Sequence, residues 1–162
     1  MPLSDYFRAA DPERVIQAMR QDVALLAADG GPFDGLSAKG IDPPVALGKL
    51  VAFARDIAFG TDTVRSEVLW PPPETEPESW DDLPDDSPWA TGPWLERLAT
   101  DVRDTLAGID DARVPELGGR WAGIEELWSV TPEGMADLLT EFVSLARRAV
   151  AEGDELYCWT CL

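Results

Sequence analysis

The chain reads as an α+β domain, with a helical majority of three long helices plus short ones packed around a small sheet that includes the N- and C-terminal strands. Three observations predict it. Apolar residues recur at helical spacing in windows that open on a cap-and-proline signal. Short β-prone segments stand at both chain ends and near the middle. Those segments need partners, because an isolated strand leaves backbone donors and acceptors unsatisfied. With 162 residues and 45% hydrophobic content, one core and one domain over 1–162 are expected.

Leu3 to Ala9 mixes Tyr6 and Phe7 with polar neighbours and reads as a strand. Asp11-Pro12 then supplies an N-cap and a proline at the first helical position. Ile16, Met19, Val23 and Leu26 follow at spacings of three and four, and Gly30-Gly31-Pro32 is the expected stop. A loop through Gly40 leads to a second cap-and-proline pair, Asp42-Pro43. It opens a helix with Leu47, Leu50, Val51, Ala54 and Ile57 on one face, ending near Gly60. Thr63 to Trp70 is β-branched and alternates, with Leu69 as the exception, which predicts a strand.

Residues 71–93 hold seven prolines, and seven of the thirteen residues from Glu74 to Asp86 are acidic with no base among them. This is a loop, and Trp80, Trp89 and Trp94 are expected to order it by docking their rings. Gly92-Pro93 is read as the start of a third long helix with Leu95, Leu98, Val102 and Leu106 on its face. Gly118-Gly119 is read as a break, and Ile124, Leu127 and Trp128 as a short helix carrying an aromatic knob into the core. Thr131-Pro132-Glu133 opens the clearest helix, striped by Met135, Leu138, Leu139, Phe142, Leu145, Ala146 and Ala149 and stopped by Gly153. Glu155 to Leu162 reads as the last strand.

Charge and missing residue types narrow the function. Thirteen basic against 31 acidic side chains give a net charge of −18, a field that repels nucleic-acid phosphates and anionic lipid and favours a basic partner. Neither nucleic acid nor membrane is an expected partner. Histidine is absent, which removes imidazole acid–base chemistry and the commonest metal ligand. With no signal-peptide layout or membrane-length apolar run, and only two cysteines, a reducing cytoplasmic location is expected.

The order of elements resembles that of the YfbM-like family, a group of bacterial proteins of unknown function. The likeness rests on Asp5-Tyr6-Phe7-Arg8 followed by Asp11-Pro12-Glu13, on Gly92-Pro93 before a central helix, and on Glu126-Leu127-Trp128 followed by a long helix through Phe142 and Leu145 to Ala151-Glu152-Gly153. It covers most of the chain. It implies an α+β fold and carries no activity.

Candidate sites are few. Cys158-Trp159-Thr160-Cys161 is formally CxxC, but it lacks the two further ligands of a zinc site and the helix N-terminus of a redox motif, so it reads as part of a strand. Glu74, Glu76, Glu78, Asp81, Asp82, Asp85 and Asp86 lack the spacing and glycine turn of a calcium loop. They fit a solvated loop or a contact surface for a basic partner. Trp80 and Trp89 sharpen the second reading as aromatic anchors flanked by charge, although core plugs would look the same. Glu125-Glu126 and Asp110-Asp111 diverge as helical neighbours, and Ser4, Ser37 and Ser66 have only Lys39 and Lys49 as lysines to activate them. No catalytic residue, metal or cofactor is assigned.

The expected function is that of an acidic protein-binding module, of the type of an immunity or inhibitor protein, for a basic partner. Its partner-binding residues would be the seven loop acids with Trp80 and Trp89. The alternative is a small-molecule-binding or hydrolytic domain whose pocket is built from carboxylates and several of Trp70, Trp80, Trp89, Trp94, Trp121 and Trp128. Oligomeric state is left open.

Overall fold

A computed structural model describes residues 2–162 and contains one five-stranded antiparallel sheet. The strands are β1 (Leu3–Ala9), β2 (Gly35–Ser37), β3 (Ser66–Trp70), β4 (Trp94–Leu98) and β5 (Glu155–Cys161), in the order β2-β1-β5-β4-β3. The first and last strands therefore lie side by side in the centre, paired from Leu3↔Cys161 to Ala9↔Glu155. Six α-helices accompany them: α1 (Pro12–Arg20), α2 (Gly48–Arg55), α3 (Pro88–Thr91), α4 (Thr100–Ala107), α5 (Val114–Ala122) and α6 (Pro132–Glu152). The fold is α+β, with more of the chain in helix than in strand.

Both faces of the sheet are covered, which explains why its strands are not simply apolar on one side. Tyr6, Leu98, Leu156 and Cys158 face a core built with α2, α4, α5 and α6, while Phe7, Ala9, Leu69, Leu95 and Tyr157 face a smaller core closed by α1, Leu25, Leu26 and Phe33. In the larger core the Tyr6 hydroxyl donates to Ile41 O at 2.7 Å, and the Phe142 ring meets both Tyr6 and Trp121 edge-on.

The three cap-and-proline starts hold, although Asp42-Pro43 opens a π-helical turn, Pro43–Leu47, that runs on into α2 at Gly48. The side chain of Asp11 accepts from Glu13 N, that of Asp42 from Val45 N and Ala46 N, and that of Thr131 from Gly134 N. The stripe of α6 is buried as expected, with Leu138 only partly covered and Val143 added.

Several expectations fail for physical reasons. Helix α1 stops at Arg20 because Asp22 turns to a left-handed φ of 51°. Val15 and Ala18 become its buried pair, Ile16 and Met19 are partly covered, and Val23 is exposed. Asp56, at φ 53°, likewise ends α2 before Ile57, which is half exposed. Leu95 and Leu98 belong to β4, not to a helix, and α4 starts only at Thr100. The three long helices reduce to one, α6, while α1, α2 and α4 are short. The aromatic knob is Trp121, fully buried, whereas Trp128 is 84% exposed.

Gly118 and Gly119 do not break the chain but lie inside α5. A Cβ on Gly118 would sit 2.7 Å from Ala136 Cα in α6, whereas one on Gly119 would meet nothing within 4 Å. Gly118→Ala is therefore expected to destabilise by about 1–3 kcal/mol through overpacking, and Gly119→Ala to stabilise by up to about 1 kcal/mol through helix propensity. Denaturant midpoints of the two variants check both signs.

An ionic clasp ties the chain ends to the smaller core. Arg8 reaches Asp34 and Asp154, each at 2.7 Å, while Arg148 grips Asp34 with two hydrogen bonds of 2.7 and 3.0 Å. Hydrogen bonds from Arg148, opposed by burial and reinforced by Arg8, hold the Asp34 carboxyl below its usual range. A lowered folded value means that this stabilisation is present above the ordinary carboxylate range and is lost as pH falls through it. Asp34→Asn is expected to flatten the acid limb of melting temperature against pH, measured beside the wild type.

Candidate functional site

The segment joining β3 to β4 carries the sequence-predicted residues. It is flanked by cis peptide bonds at Trp70-Pro71 and Gly92-Pro93 and held from within by Trp89. Trp89 sits in α3, where Ser87 caps its backbone, and its indole N–H donates to Thr75 Oγ1 at 3.1 Å. Thr75 in turn donates to Pro72 O at 2.6 Å. Trp89 is 7% exposed and is the plug of the loop.

Trp80 is different. It leans edge-on against Trp89, with ring centroids 5.9 Å apart, yet it is 55% exposed. The expectation that all three loop tryptophans dock is thus met by Trp89, while Trp94 is half-buried at the start of β4. Glu74, Glu76, Glu78, Asp81, Asp82, Asp85 and Asp86 are all exposed. Among the described residues none of the seven forms an ion pair, although ten other acids do. The structure thus gathers the seven acids and Trp80 on one solvent-facing loop and places Trp89 beneath it.

A second feature lies at the roots of this loop. Trp70, just before it, and Pro93, at its end, line a cleft of about 340 Å³. Its other walls are Ala18 and Met19 of α1, the turn from Asp22 to Leu25, Asp29, Asp5 and Trp159. One cross-strand row explains the lining: Asp5 pairs with Trp159, Trp159 with Leu95, and Leu95 with Trp70. A bulge between Val68 and Trp70 turns Trp70 to the same face as Leu69. Burial, partly offset by a 2.5 Å hydrogen bond from Ser37 and reinforced by Asp29, raises the Asp5 carboxyl above its usual range.

Sequence reasoning missed this cleft. Of its two indoles only Trp70 was a candidate, and Asp5, Asp22, Asp29 and Trp159 were not. The usable signal was Asp5, an acid with the strand parity of Phe7 and Ala9, whose side chains are core.

The remaining chemistry is quiet. Cys158 is buried, its thiol pushed up to about 12 by desolvation, and Cys161 is on the opposite face of β5. A cavity of similar size beside β3 and β4 is lined by Arg97, paired with Glu67, and by Glu155, which accepts from Thr100. Among the described residues no three acids or cysteines are grouped to hold a metal ion, and no helix is long and apolar enough to cross a membrane. No protein-family model, curated protein or solved structure matches the chain.

Proposed function

We propose that this protein is a binding module for a basic protein partner, of the immunity or inhibitor type, engaged through the loop of residues 71–93. The observation that carries the reading is the loop's seven exposed carboxylates, none of them in an ion pair among the described residues, on the same segment as the exposed ring of Trp80. Ten acids elsewhere in the described residues are drawn into ion pairs, whereas the loop concentrates, within thirteen residues, seven that are not. Trp80 supplies the apolar anchor an interface needs, and Trp89 beneath it holds the loop in shape before binding. Net charge of −18 would steer a cationic partner and turn away nucleic acid. A cytoplasmic setting and membership of the YfbM-like family belong to the same proposal.

The test is capture from the native lysate at low ionic strength, followed by elution with salt and mass spectrometry. A basic protein released by salt is expected, because attraction between exposed charges is screened. Retention that ignores salt, or no retained protein, would contradict the reading. The cleft of Trp70 and Trp159 favours a second reading, a small-ligand site, and the chemistry of its walls indicates which ligand.

A further inference from the structure

The cleft between α1 and the sheet combines three properties. Two indoles, Trp70 and Trp159, with Met19, Val23 and Pro93, give it apolar walls. Three carboxylates, Asp5, Asp22 and Asp29, line it, and no lysine or arginine does. Among the described residues Asp22 and Asp29 make no ion pair or side-chain hydrogen bond, while Asp5 accepts only from Ser37.

That combination selects a ligand class. An anion would face three negative charges with no counter-charge. A bare metal ion needs oxygens converging at short distance, and these three are not so grouped. A neutral apolar molecule would cover Asp5 and leave its charge only the Ser37 hydroxyl as partner. A cation on an apolar stem meets every wall at once, since it can lie against the indole faces and place its charge among the carboxylates. A volume of about 340 Å³ is at the small-molecule end of ligand sites.

We propose that this cleft binds an organic cation, an alkylguanidinium or alkylammonium group whose stem packs on Trp70 and Trp159 and whose charge is held by Asp5, Asp22 and Asp29. The inference rests on the reading of the cleft as a ligand site. The group can come from a free small molecule or from an arginine or lysine side chain of a partner, because the loop that would contact that partner is rooted at Trp70 and Pro93.

The test uses n-butylguanidinium as the probe, neutral n-butylurea and anionic pentanoate as matched controls, and a capped Gly-Arg-Gly peptide. Binding is read from the indole N–H resonances of the full chain. The expected result is saturable shifts of Trp70 and Trp159 with butylguanidinium, weaker shifts with butylurea and none with pentanoate. The double variant Asp22→Asn/Asp29→Asn, altered only at exposed positions, is expected to weaken the cation about 2- to 30-fold and leave butylurea unchanged. Tighter binding of the peptide than of the free probe supports the side-chain source, and the reverse order supports a small molecule. Equal binding of butylurea and butylguanidinium would overturn the cation proposal while keeping the cleft as a ligand site. No shift from any probe would overturn both.

Discussion

Trp121→Ala is expected to cost about 3–5 kcal/mol of folding stability, the range for removing a large buried aromatic ring. The ring is fully buried, its indole N–H donates to Ala46 O at 2.8 Å, and its edge meets Phe142. Truncation empties a volume bordered by Ala46 and by Phe142 of α6 and leaves the Ala46 carbonyl without its buried donor, a further penalty of about 1–3 kcal/mol where no water replaces it. For a domain whose whole stability is about 5–15 kcal/mol, such a loss approaches global unfolding. Trp128→Ala is the internal control. Trp128 is 84% exposed, and its removal should change stability by no more than about 0.5 kcal/mol. Denaturant unfolding of the two variants separates the buried ring from the exposed one, and equal effects would contradict the assignment of Trp121 as the knob.

The second large effect falls on binding. Changing Glu74, Glu76, Glu78, Asp81, Asp82, Asp85 and Asp86 to their amides removes seven of the 31 acidic side chains. It breaks no ion pair among the described residues, so the fold and its melting temperature should persist. Association with a basic partner at low salt should slow by about one to two orders of magnitude, the scale of electrostatic steering, and its salt dependence should flatten. Trp80→Ala should act on the other rate. An anchor's removal leaves the encounter intact and speeds dissociation, so rate constants from surface-immobilised partner distinguish charge from packing. A neutralised loop that binds at the wild-type rate would show that its acids serve solubility alone.

The readable parts of the sequence were those set by local chemistry. Asp11-Pro12, Asp42-Pro43 and Thr131-Pro132 announce helix starts through capping oxygens and a fixed φ, and no distant residue is needed to satisfy them. The stripe of α6 is long enough for its period to dominate. Leu95 and Leu98 misled because three-residue spacing puts two strand residues on opposite faces, and this sheet buries both faces. With α1 on one side and four helices on the other, the alternation that marks a half-exposed strand is erased. Gly118 misled because its role is set by Ala136, a contact invisible to local reading.

The same division applies to the candidate site. The loop acids and Trp80 could be found because composition alone exposes them. The cleft could not, because Asp5, Trp159 and Trp70 meet through pairing register across β1, β5, β4 and β3, and Asp22 and Asp29 join them only once α1 ends early.

The most direct measurement of the central claim is amide hydrogen exchange of the chain with and without its captured basic partner. The loop account predicts new protection concentrated in residues 71–93. Protection centred on the exposed Trp128 and Val130, with the loop exchanging as in the free protein, would contradict it.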